Sequence, residues 1–173
     1  MVKEISNQLY DKPDAIFCSV GGGGLLGGII VGCNHVGWDD GAPLNHTVRH
    51  SFITDVVLRV VPIVALETIG TDCFFHSMSL NKGSFNVNPP LPAGVDIVHD
   101  AENNVKLAHF SRFSSKASGS LGASQPSARV KMALGRQGGV KCVSMPDELS
   151  MQSLVSFLGK FKLFAVYVDP MFL

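Results

Sequence analysis

Between Phe17 and Gly28 the chain reads FCSVGGGGLLGG: an apolar run stops in four consecutive glycines and restarts at once as a second apolar run. Lys12-Pro13-Asp14 ahead of it is a turn signal, Ala15 to Val20 has the length and composition of a buried strand, and Leu25 to Val31 opens a helix that reaches about Val36. A strand, a glycine loop and a helix start in that order bring backbone amides close to whatever lies above the loop. No Cβ intervenes, and the new helix offers unpaired N–H groups at the positive end of its dipole. The pattern predicts an anion there, and a phosphate is the natural one. A turn without a ligand is the plain alternative; against it, glycine costs roughly 0.5–1 kcal/mol per residue relative to alanine in regular structure.

Gly22, Gly24 and Gly27 also satisfy the dinucleotide pattern GxGxxG. That fingerprint calls for an acidic residue about 20 positions on, at the end of the next strand, whereas Asp39 and Asp40 follow Gly37-Trp38 in what reads as a polar loop. GxxxxGK[ST] is absent, which argues against a nucleoside triphosphate loop. Ala15 to Cys33 carries no charge, but seven of its residues are glycine, and a lipid-exposed helix so interrupted would leave backbone groups unpaired. A membrane span is therefore not expected. The opening MVKEISNQLYDKPD has no apolar core of the signal-peptide kind, so a cytoplasmic protein is expected.

Formal net charge is zero with Lys and Arg scattered, which leaves no footprint for nucleic acid. Cys18, Cys33, Cys73 and Cys142 are far apart and form no CxxC pair, so buried free thiols in a reducing compartment are expected in place of a zinc knuckle or disulfide framework. His35, His76, His99 and His109 form no HxxxH or HExxH pattern and read as ordinary surface or core residues.

A length of 173 residues suits one domain. Val2 to Tyr10 predicts a short helix with Ile5 and Leu9 on one face. Val61 to Leu66, VPIVAL, predicts a strand of the kind buried in a parallel sheet, with Glu67 at its carboxyl end, where open α/β sheets bind ligands. A helix follows over Asp72–Leu80, a turn-rich loop over Asn81–Gly94, mixed structure over Val95–Phe110, and a small polar stretch over Phe113–Gln125. The chain then predicts a helix over Pro126–Gly135, a strand over Val140–Ser144, and an amphipathic helix from Pro146-Asp147-Glu148 to about Phe157, its acidic start matching the dipole. The class is α/β, a partial open parallel sheet with flanking helices.

KPDAIFCSVGGGGLLGGIIVG, the VGW after it and VPIVALETIGTDCF resemble the serine/threonine dehydratases, specifically the L-serine dehydratases, pyridoxal-phosphate enzymes with a tryptophan-synthase-β-like fold. HDAENNVKLAHFSRFSSKASGSLGASQPSARVKMAL and GGVKCVSMPDELSMQSLVSF resemble the segment of fungal-type members that runs through SLGA into a helix. The resemblance implies that the backbone of Gly21, Gly22, Gly23, Gly24 and Leu25 wraps the phosphate of pyridoxal 5′-phosphate. It also implies that Glu67, Thr71, Leu121 and Ala123 belong to a monovalent cation site, potassium for instance. Ser120, the first residue of SLGA, stands where relatives more often carry alanine. The implied reaction is α,β-elimination on L-serine, with L-threonine as a second substrate, giving pyruvate and ammonia from serine, in a family whose intact members form homodimers.

The resemblance is interrupted and shortened. Residues 41–60 have no counterpart, and a β-branched strand there finds no obvious partner; the pattern resumes at Val61, so a retained intron or gene-model artefact is expected. The family's Schiff-base lysine and carboxylate loop belong to an N-terminal half without counterpart here, and beyond about Lys162 the segment facing the pyridine nitrogen has none either. Residues 1–173 thus read as one incomplete pyridoxal-phosphate-binding domain with no catalytic residue to carry over. Lys116 in SSKAS falls in the approach to the cation site and not on the lysine helix. The chain by itself is expected to be inactive, and the alternatives are a non-catalytic remnant, either a mispredicted gene model or a fragment that pairs with an intact dehydratase, or the dinucleotide binder.

Overall fold

The computed structural model describes residues 1–39, 60–81 and 89–160. The expected insertion at 41–60 lies outside them apart from its last residue, as do residues 82–88 of the turn-rich loop. In chain order the elements are α1 (Val2–Gln8), β1 (Ile16–Ser19), α2 (Gly24–His35), β2 (Ile63–Thr68), α3 (Cys73–Leu80), β3 (Val95–Asp100), β4 (Val105–Phe110), α4 (Ser118–Leu121), α5 (Arg129–Gly135), β5 (Lys141–Met145) and α6 (Asp147–Lys160).

β1, β2 and β5 form a parallel sheet in that order, in register from Ile16 opposite Ile63 to Thr68 opposite Met145. The order advances in one direction, and right-handed crossovers then place α2, α3 and α5 on the same face. Cys18, Ile63 and Ala65 accordingly turn into a core shared with Leu26, Ile29 and Ile30 of α2, Phe74 and Met78 of α3, and Val130 and Ala133 of α5. Each such side chain contributes roughly 1.5–3 kcal/mol of burial. The opposite face keeps Phe17 68% and Val143 40% exposed. The sequence reads β1 as a buried strand; in the structure it is an edge strand buried on one side only, at Cys18.

α2 starts where the glycines end and stops in a Schellman arrangement, with Trp38 N–H on the Cys33 carbonyl at 2.8 Å and Gly37 N–H on the Asn34 carbonyl at 3.2 Å. Trp38 O then accepts from Val61 N–H at 2.9 Å, so the chain leaves and re-enters the described fold at one place. Arg136 fastens that place by donating to Asp39 Oδ1, to Val61 O at 2.6 Å and to Gly139 O at 2.8 Å. Asp39, read from sequence as part of a polar loop, is in fact buried in this ion pair.

The mixed stretch Val95–Phe110 is an antiparallel hairpin, Val95 opposite Phe110 through Asp100 opposite Val105. Its turn is held by Asp100 accepting from Asn103 N–H at 3.1 Å, with Asn104 at φ 53°. β4 lies against α3, and its outward amides are taken by Asn81 Oδ1, Ser77 Oγ and Ser124 O at 2.9, 2.8 and 2.7 Å. Among the described residues all four cysteines are free thiols, as expected, and no helix is long and apolar enough to cross a membrane.

Candidate functional site

At the carboxyl end of β1 the glycine loop opens into a cleft of about 230 Å³, lined by Ser19 to Leu26 on one side and Ser120, Leu121 and Gly122 on the other. Gly23 has φ 87°, in the left-handed region, and turns the chain into α2. Gly21 is pressed against the SLGA turn so closely that a Cβ there would lie 2.5 Å from the Leu121 carbonyl oxygen. Two stretches about 100 residues apart in sequence thus form the two walls, joined also by Ser127 N–H on the Gly22 carbonyl at 3.0 Å.

Among the described residues, the backbone N–H groups of Gly21 through Leu26 donate to no protein acceptor. Those of Gly24, Leu25 and Leu26 are the first three amides of α2, which lacks both a side-chain cap and an acidic residue in its first turn. Consecutive donors around a cleft at a helix N-terminus suit a phosphate, by hydrogen bonding and by the sign of the dipole. The donor set fits the phosphate end of pyridoxal phosphate and equally fits any phosphomonoester. Leu25 and Leu121 add apolar surface, and among the described residues no lysine lines the cleft.

The residues nominated for a cation fall into two pairs. Leu121 and Ala123 lie against the loop, with Ala123 Cβ 3.7 Å from where a Cβ on Gly22 would be. Glu67 and Thr71 line no part of the cleft. Glu67 is buried and accepts from Phe74 N–H through Oε1 at 3.1 Å and from Phe75 N–H through Oε2 at 2.6 Å, so it caps α3 from the neighbouring strand. Burial pushes its carboxyl well above the usual value; the two amides oppose this, and Asp72 adds to it. Thr71 Oγ1 lies 3.1 Å from Thr68 Oγ1.

Around this pair the carboxyl end of the sheet is polar. Asp72 accepts from Gly70 N–H at 3.1 Å and Ser144 Oγ–H at 2.6 Å, and His76 Nε2 lies 3.4 Å from it. Burial works against ionisation of Asp72, yet His76 and Ser144 hold its carboxyl below the usual range. Cys73, whose thiol lies 4.0 Å from the Gly21 carbonyl, is pushed up to about 12 by burial and by Glu67 and Asp72, and so is no nucleophile near neutrality. Ser19 and Gly122 line the cleft without having been singled out by sequence reasoning, although Ser19 borders the glycines and Gly122 lies within SLGA.

No family model matches the chain. A human L-serine dehydratase/L-threonine deaminase is 37% identical over 82 residues, which are 47% of this chain and 19% of that protein. An L-serine dehydratase of Dictyostelium discoideum is 33% identical over 75 residues, 43% of this chain and 16% of its own length. A human serine dehydratase-like protein is 34% identical over 82 residues, 47% and 19% respectively. The match therefore spans about a fifth of the length of these relatives.

Proposed function

Because this chain carries a serine dehydratase-related segment, we propose that its glycine cleft holds the phosphate of pyridoxal 5′-phosphate and that the chain derives from an L-serine ammonia-lyase acting on L-serine and secondarily on L-threonine. The observation that supports this reading is the run of amides from Gly21 to Leu26 without an acceptor among the described residues, beside a cleft walled by the SLGA turn. When bound, pyridoxal phosphate supplies the electron sink that loosens bonds at an amino acid's α-carbon. The chain's own part is to grip the phosphate by backbone donors and to exclude water with Leu25 and Leu121, beside Ser19 and Ser120 in the cleft lining.

With no lysine among the described residues that line the cleft, the chain holds the cofactor without a covalent link and moves no proton at the substrate. The same reading carries a monovalent cation near Glu67, Thr71, Leu121 and Ala123, a cytoplasmic setting and a homodimeric intact relative. A dinucleotide is the less favoured occupant. Glu67 stands at the end of the adjacent strand, where a ribose hydroxyl would be read, but both its oxygens are engaged by α3.

Titrating the purified chain with pyridoxal phosphate, pyridoxal, inorganic phosphate and NAD tests the reading. Saturable pyridoxal phosphate binding displaced by phosphate, much weaker pyridoxal binding and no pyruvate from L-serine are expected. Tighter binding of NAD than of pyridoxal phosphate overturns the cofactor assignment, and pyruvate formation overturns the inactivity.

A further inference from the structure

The geometry points to Ser115 and Asp147 as a positioning pair that sets the Leu121 wall of the glycine cleft, an inference that rests on the cleft being the phosphate site. Asp147, the first residue of α6, reaches back 32 residues to accept from Ser115 Oγ–H through Oδ1 at 2.7 Å and, through Oδ2, from Lys116 N–H at 2.7 Å. Ser115 is buried. Its Oγ also accepts from Ala117 N–H at 3.0 Å and lies 2.7 Å from Thr68 Oγ1 at the end of β2.

The donor inventory fixes the direction of this chain. An ionised carboxylate only accepts, so Ser115 gives its single proton to Asp147, and Thr68 must donate to Ser115. Thr68 Oγ1 is then left as an acceptor, within 3.1 Å of Thr71 Oγ1. The Lys116 amide first, then the Ser115 hydroxyl, hold the Asp147 carboxyl below its ordinary range, which keeps it in the accepting form. One carboxylate thereby orders three side chains, Ser115, Thr68 and Thr71, and two backbone amides, those of Lys116 and Ala117.

What this holds is the cleft wall. Ala117, fixed by Ser115, accepts from Leu121 N–H at 2.8 Å and Ser120 N–H at 3.1 Å, so the short helix α4 hangs from it. The Leu121 carbonyl at the far end of α4 meets Gly21. Release of Ser115 frees α4 to move away from the glycine loop, widening the cleft without removing any group that touches a ligand. α4 is four residues long, far too short to hold itself as an isolated helix.

Ser115→Ala, Ser115→Thr and Asp147→Asn in the full chain test the pair by two independent readouts. Hydrogen–deuterium exchange without ligand is expected to rise about fivefold or more at the amides of Ala117 to Leu121 in Ser115→Ala and Asp147→Asn, and to stay near wild type in Ser115→Thr, which keeps the hydroxyl. Pyridoxal phosphate affinity is expected to fall roughly three- to tenfold in the first two, with the double variant no worse than either single one, as for groups acting in series. Unchanged exchange in Ser115→Ala, or Ser115→Thr behaving like Ser115→Ala, overturns the pair even where wild type binds the cofactor. Faster exchange in a chain whose wild type binds no pyridoxal phosphate supports the pair and overturns the reading of the cleft.

Discussion

The two ends of the parallel sheet are both polar, and they differ in what their polar groups touch. At the amino end Arg136 gathers Asp39, Val61 O and Gly139 O, while Trp38 O takes Val61 N–H, so the charge is paired and these carbonyls are taken inside the protein, and of the guanidinium nitrogens only Nε has no partner among the described residues. At the carboxyl end six successive amides from Gly21 to Leu26, beside a cleft, have no acceptor among the described residues. Buried donors left unmatched cost about 1–3 kcal/mol each, so a fold keeps such a set where solvent or a ligand meets it. On the proposed reading the first end holds the chain together and the second binds, so substitutions at the two ends should separate stability from affinity.

The largest effect is expected from Arg136→Met. Leaving the Asp39 carboxylate buried without its partner should cost about 3–5 kcal/mol, read as a shift in the urea midpoint, with phosphate affinity of the folded fraction unchanged. A loss below about 1 kcal/mol would break the comparison at its firm end. Next comes Gly21→Ala, whose methyl group would meet the Leu121 carbonyl oxygen at 2.5 Å. Pyridoxal phosphate affinity should fall roughly tenfold or more and stability by about 1–3 kcal/mol. Gly28→Ala is the control: it lies in α2 outside the cleft and a Cβ there has no neighbour within 4 Å, so both quantities should stay close to wild type.

A pH dependence comes third. Glu67 is raised in the folded chain, so the folded state keeps a proton that the unfolded chain releases; its contribution is fully present below the unfolded value and is lost as pH rises through the folded one. Asp72, lowered, runs the other way: its contribution is present above the unfolded value and is lost as pH falls through the folded one. Urea unfolding at about pH 5 and about pH 8 should therefore show wild type losing more stability on the alkaline side than Glu67→Gln, which cannot ionise. Equal slopes would remove Glu67 from the account.

The smallest effect is expected from deleting residues 40–59. Joining Asp39 to Val60 makes Trp38, Asp39, Val60 and Val61 a four-residue turn whose first carbonyl already accepts from the last amide at 2.9 Å. Stability should change by no more than about 1 kcal/mol, since closure entropy grows slowly with loop length. Failure of the shortened chain to fold would show that the segment belongs to the core.

The parallel strands and the glycine loop are legible in sequence because each is local: VPIVAL is apolar throughout, and four glycines in a row leave the backbone little else to do. The hairpin at Val95–Phe110 escapes because Ile97 and Val98 point outward while β4 is buried on both faces, so neither strand alternates. Asp39 is misread for a related reason, its partner Arg136 being 97 residues away. Ser115 and Asp147 carry a local signal for a turn and a helix start, but the bond between them is visible only in three dimensions.

The one-directional order of the strands has a practical consequence. Among the described residues, the exposed Phe17 and Val143 and the half-buried Val64 and Leu66 form an apolar sheet surface on the face away from α2, α3 and α5. A preparation of this polypeptide should therefore take up environment-sensitive dyes and adhere to hydrophobic resins while still folded, and its yield should depend on what it is expressed alongside.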